Sequence, residues 1–70
     1  MNEIAIFASN VASTRAQKHL SQTQVSSRSG IHVTEVSRIE RGLRDPRLST
    51  LLRLARALEV PLALLLEGVS

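Results

Sequence analysis

The chain has no cysteine, tryptophan or tyrosine, and Phe7 is its only aromatic residue. Without cysteine, neither a disulfide framework nor a Cys-type zinc site is available to reinforce a small core. With one aromatic among 43% hydrophobic residues, the core must be built from Leu, Ile, Val and Ala, which suits packed helices better than strands. No apolar run exceeds that from Leu62 to Leu66, far short of the roughly 20 residues a membrane span requires. The N-terminus lacks a basic region ahead of an apolar stretch, so neither export nor a membrane partner is expected, and the expected location is cytoplasmic. His19 and His32 have no Cys, Asp or Glu at ligand spacing, and no metal or other cofactor is expected. There is no nucleophile–base pair or phosphate loop, and Glu40 has no second carboxylate on its helical face, so an enzyme is not expected.

Seventy residues fit one domain, residues 1–70, and a chain this short buries only about 60% of the surface it exposes when unfolded. Self-association is the stabiliser left to it. The net charge is only +3, yet seven of the nine basic residues (Arg15, Lys18, Arg28, Arg38, Arg41, Arg44, Arg47) fall between positions 15 and 47, against three acids (Glu35, Glu40, Asp45). Outside that window two basic residues face three acidic ones. Such an asymmetry describes either a local polyanion-binding face or a solvated charged surface.

Apolar residues at helical spacing (Ile4, Phe7, Val11, then Thr14 and Arg15) predict a first helix from Asn2 or Glu3 to Lys18. Ser21 followed by Gln24 is a capping-box pattern, so a second helix begins at Gln22 and ends at Gly30. A third runs from His32 or Val33 to Gly42, with Val33, Thr34, Ser37, Arg38 and Arg41 on one face and Val36 and Ile39 on the other. Asp45-Pro46 marks a loop. Leu48, Leu51, Leu52, Ala55 and Leu58 then predict a fourth helix with this stripe expected in the core, and Pro61 opens a fifth, about 61–67, ending before Gly68. The fold expected is a compact all-α domain of five helices.

Two short helices joined by a glycine-containing turn, the second presenting small polar residues and arginine outward, are what insertion into a DNA major groove requires. The segments LSQTQVS (20–26), SGI (29–31), VSRIERG (36–42) and PRLSTL (46–51) resemble the phage-repressor (Cro-like) helix-turn-helix family of the xenobiotic-response-element type. The resemblance runs ungapped from about Phe7 to Gly68 and places the helix-turn-helix at about 21–41. It implies a lambda-repressor-like fold and a DNA-binding transcriptional regulator, nucleoid-associated and without a small-molecule effector.

The resemblance also implies residue roles. Gln22, opening helix 2, aligns with a glutamine used against a DNA phosphate, its alternative being a solvated first-turn residue. Val33, Thr34, Ser37 and Arg38 occupy the base-reading positions. Val33 suits a thymine methyl, and Arg38 suits guanine O6 and N7 or else a phosphate. Arg41, Arg44 and Arg47 flank the loop after helix 3, where family members meet the sugar-phosphate backbone. Arg28 is either a further phosphate contact or solvated. Arg15 and Glu40 correspond to an ion pair tying helix 1 to the end of helix 3, a structural role. His32 reads as a helix N-cap or a phosphate neighbour. In the fifth helix, Leu62, Leu65, Leu66 and nearby Val69 put apolar residues on more than one face, which predicts a dimer contact or a helix clamped into its own core.

Four positions depart from the family pattern: Thr14 in place of leucine, His19 in place of glycine, Ser26 in place of alanine, and Arg47 in place of a small capping residue. Together these departures lower stability by about 1 to 3 kcal/mol, which favours dimerisation. The reading that follows is a regulator binding double-stranded DNA at a symmetric operator as a homodimer. The alternative is a protein-interaction or antitoxin-type module whose apolar C-terminal helix holds a protein partner.

Overall fold

Helices α1 (Glu3–Gln17), α2 (Gln22–Ser29), α3 (Val33–Glu40), α4 (Leu48–Leu58) and α5 (Leu62–Leu65) follow one another in the expected order. They belong to a computed structural model that describes residues 2–70. The core is entirely aliphatic apart from Phe7: Val11 from α1, Val25 from α2, Val36 and Ile39 from α3, Leu54 and Leu58 from α4 and Leu65 from α5 meet at its centre.

The helix starts follow local chemistry. Asn2 Oδ1 accepts from the backbone N–H groups of Ile4 and Ala5. Ser21 and Gln24 form both halves of a capping box. His32 Nδ1 accepts from Thr34 N–H, so His32 is the N-cap of α3. Each such bond satisfies a donor that a helix end leaves without a partner. Arg47 precedes α4 and makes no side-chain cap bond, as its replacement of a small capping residue predicts.

Four helix ends close through a left-handed residue, and only Gly30 and Gly42 among these are glycine. At Gly42 the N–H of Leu43 reaches the carbonyl of Arg38, and that of Gly42 reaches Ile39, a Schellman closure. The same pattern ends α1 at His19 (φ 57°) and α4 at Glu59 (φ 56°), where a side chain is costly. Helix α3 therefore stops at Glu40, two residues short of Gly42, because the closure takes up Arg41 and Gly42.

Two expectations are corrected. The fifth helix ends at Leu65 and not near Glu67, because the chain tightens beyond it into i→i+3 bonds (Glu67 N–H to Leu64, Val69 N–H to Leu66). The buried face of α4 centres on Leu54, Ala55, Ala57 and Leu58, while Leu48 is 64% exposed. Helix α4 is buried along its last two turns, and Leu48 in its first turn stays outside the core.

A polar cluster ties α1, α2 and α3 together beside this core. Arg15 Nε and Nη2 donate to the two Glu40 oxygens at 2.6 and 2.9 Å, and Arg15 Nη1 donates to the Leu20 carbonyl at 2.9 Å. Gln22 Nε2 donates to Glu40 Oε1 at 3.0 Å. The Glu40 side chain is only 5% exposed, so its charge depends on these donors. Hydrogen bonding to Glu40 raises the pKa of Arg15 above its ordinary value, desolvation works against this, and the charge of Glu40 adds to it. Removing one member strands the other, so Arg15→Met should cost about 3 kcal/mol, and Arg15→Met/Glu40→Leu should cost less than that single change. Urea denaturation of the three proteins checks the order. At the end of α1, His19→Gly should stabilise by about 0.5 kcal/mol, the relief of left-handed strain exceeding the added freedom of the unfolded chain. His19→Val should destabilise, and the midpoints of thermal unfolding check both signs.

Candidate nucleic-acid interface

Helices α2 and α3 pack against each other across the turn at 30–32. Ile31 is buried there, and its N–H is accepted by Ser29 Oγ at 3.1 Å. Val25, Val36 and Ile39 are at most 1% exposed, which fixes the rotation of α3 about its own axis. With the inner face of α3 so determined, Thr34 and Arg41 are exposed, and Val33, Ser37 and Arg38 are half-buried. This is the division of faces that periodicity predicts, and it leaves an outward surface of small side chains and arginine with Glu35 beside them. A major groove about 12 Å wide admits one such helix.

The basic residues lie around this surface in different states. Arg41 is exposed and folds back along its own helix, its Nε donating to the Ser37 carbonyl at 3.4 Å. Arg47 is exposed at the start of α4. Arg28 stands 3.7 Å from Glu59, with side-chain exposures of 46% and 77%, a wet pair of small energetic consequence. Gln22 is predicted from sequence to face a phosphate. The structure turns its amide nitrogen toward Glu40, so one of its two N–H donors is engaged inside the protein.

Glu35 is the residue that sequence reasoning missed. Its Oε2 accepts from Arg44 Nε at 2.9 Å, and its Oε1 lies 3.6 Å from Arg38 Nη1. One carboxylate thereby gathers two of the arginines expected at the DNA face. The i,i+3 spacing to Arg38 carries a signal for the first pair. The second partner lies beyond the turn that ends α3, and nothing local announces it.

At the C-terminus the expected contact set divides. Leu65 is fully buried in the core and is corrected from an interface residue to a core residue, because α5 lies against α1 and α4 with that side inward. Leu62, Leu66 and Val69 are partly buried and pack on the core, while Leu64 is 41% exposed. Asn10 Nδ2 donates to the carbonyls of Leu65 and Glu67 at 2.9 and 2.8 Å, holding this segment against α1. Among the described residues no group of three or more His, Cys, Asp or Glu could hold a metal ion, and no helix is long and apolar enough to cross a membrane.

The helix-turn-helix family model matches residues 11–65. The chain belongs to the helix-turn-helix family. Its sequence is 44% identical over 67 residues to the control protein C.SmaI of Serratia marcescens, covering 93% of this chain and 80% of that protein. It is 49% identical over 53 residues to the antitoxin HigA1 of Mycobacterium tuberculosis, of which those residues span 36%. Among solved structures, the restriction-modification controller protein C.AhdI of Aeromonas hydrophila superposes with a TM-score of 0.89 at 31% identity, covering 93% of this chain and 98% of that one. A helix-turn-helix transcriptional regulator from Vibrio cholerae gives the same TM-score at 23% identity and supports the fold alone. Fold and family place this helix-turn-helix protein among DNA-binding transcriptional regulators.

Proposed function

We propose that the protein is a sequence-specific regulator of the controller type, binding a two-fold symmetric operator as a homodimer. The observation that carries this reading is the outward face of α3, whose orientation the burial of Val36 and Ile39 determines, in a chain similar over most of its length to a control protein. Val33, Thr34, Ser37 and Arg38 are assigned to base edges. Gln22 through its remaining N–H, together with Arg28, Arg41, Arg44 and Arg47, is assigned to phosphates. Phosphate contacts add affinity without sequence preference, whereas an arginine bidentate to guanine discriminates by about 1 to 3 kcal/mol.

Leu62, Leu66 and Val69, with the exposed Leu64, supply the proposed dimer surface. Leu66 and Val69 also line a concavity of about 120 Å³ with Phe7, Pro46 and Leu51, rimmed by the acidic Glu3 and Asp45, next to this surface. Recognition helices of such a dimer would enter successive major grooves about 34 Å apart. A second reading, that this surface holds a different protein, is favoured by the similarity to the antitoxin.

Selection from random duplex DNA should yield a palindromic site. Arg38→Ala should weaken that site by about tenfold and relax it at one base pair of each half, and titration at two salt concentrations separates this from a phosphate effect. Failure to enrich any site would overturn the reading. Sedimentation of the free protein should show a dimer at micromolar concentration, shifted toward monomer by Leu64→Glu with the helical signal unchanged. A wild-type monomer throughout would favour the second reading.

A further inference from the structure

A carboxylate on a surface meant for a polyanion opposes binding, since it repels phosphates at close range. Glu35 lies on the recognition helix and is about one-third exposed. It also makes the most specific polar contact on that surface, with its two oxygens divided between Arg44 and Arg38.

The geometry of the Arg44 contact is informative. The bond uses Nε, so both terminal nitrogens of the guanidinium, with four N–H groups, stay available to a ligand. A planar group held at one edge presents the other in a defined direction, and less side-chain freedom is lost when it binds. Arg38 is held more loosely at 3.6 Å, near enough to bias its rotamer yet free to reach a base.

We propose that Glu35 is a specificity-determining positioning residue, orienting Arg44 toward the DNA backbone and restraining Arg38 on the base-reading face. The proposal rests on the regulator reading above. It divides the action of Glu35 into two separable parts. Its charge weakens binding to all DNA alike. Its hydrogen bond to Arg44 and its nearness to Arg38 improve the operator more than random sequence, because only the operator lets both arginines bind where they are held.

Two variants separate these parts. Glu35→Gln removes the charge, and with it the loose hold on Arg38, and keeps an oxygen able to accept from Arg44 Nε; Glu35→Ala removes every one of these. Affinities for the selected operator and for a scrambled duplex of equal length are measured by fluorescence anisotropy, with folding checked by circular dichroism. Glu35→Gln should tighten both duplexes, because charge repulsion is blind to sequence, and should lower their ratio by no more than about twofold, since the hold on Arg44 is kept and only the looser hold on Arg38 is lost. Glu35→Ala should lower the ratio about fivefold, the scale of one half-exposed charged contact. In an Arg38→Ala/Arg44→Ala background, Glu35→Ala should no longer change the ratio, a coupling that a purely structural role would not produce. An unchanged ratio in Glu35→Ala, an equal fall in both variants, or a fall that persists without the arginines would overturn the proposal. If the wild type prefers an operator and Glu35→Ala prefers it equally, the positioning role fails alone. If the wild type prefers no sequence, the regulator reading fails and the proposal with it.

Discussion

Glu40 ends α3 with its carboxylate nearly out of water, accepting from Arg15 on α1 and Gln22 on α2. The aim of α3, the helix proposed to read bases, depends on this junction. Aliphatic contacts among Val25, Val36 and Ile39 hold α3 strongly but without direction, since apolar burial is proportional to area and indifferent to angle. Base recognition requires side chains placed to a fraction of an ångström, and a two-pronged guanidinium–carboxylate pair supplies direction. No buried side-chain nitrogen or oxygen among the described residues lacks a partner, so the cluster orients the helices without an unsatisfied group. Its value lies in arrangement more than in stability, because an apolar replacement of a buried pair is often neutral. Gln22 extends the same junction to the start of α2, so the residue proposed to meet the backbone and the helix proposed to read bases share one reference point.

What the sequence makes legible here is local chemistry. The capping box at Ser21 and Gln24, the N-cap at His32 and the closures at Gly30 and Gly42 all depend on residues within one or two turns of each other. The closures at His19 and Glu59 use the same backbone bonds, yet neither residue's own type announces them, and only the family's glycine at position 19 points to the first. Packing elsewhere decides that the chain turns there, and the side chain tolerates it. The face of α4 is misread for a related reason: Leu48 and Leu54 are the same residue type, and only the position of the neighbouring helices makes one 64% exposed and the other fully buried. The family resemblance locates the Arg15–Glu40 pair. Glu35 with Arg44 lies beyond both sources, because the partners are brought together by the turn after α3.

The electrostatics of the basic face are more restrained than a count of arginines implies. Of the residues proposed to touch DNA, Arg28, Arg38 and Arg44 each stand near a carboxylate in the free protein. At these exposures the pairs are worth about 0 to 1 kcal/mol each. A phosphate can therefore recruit these guanidinium groups at small cost, while the acids reduce attraction to arbitrary DNA. A modest net charge of +3 is consistent with a protein that limits sequence-blind binding, the component that grows with each neutralised phosphate.

Helix α1 connects the two surfaces on which the proposed function depends. Arg15 fastens it to α3 through Glu40, and Asn10 fastens it to the chain around α5 through the carbonyls of Leu65 and Glu67. These anchor residues are five positions apart, about 7.5 Å along a helix, and Val11 lies fully buried between them. In a symmetric dimer the distance between recognition helices is set by the dimer contact and by whatever links it to α3. A loose link would let the helices miss successive grooves, and the entropy of aligning them would oppose binding. One continuous helix bonded at both points removes that freedom before DNA is met. The burial of Leu65, which withdraws a leucine from the proposed interface, serves the same end: it seats α5 in the core, so that the apolar groups left outside are carried on a rigid mount.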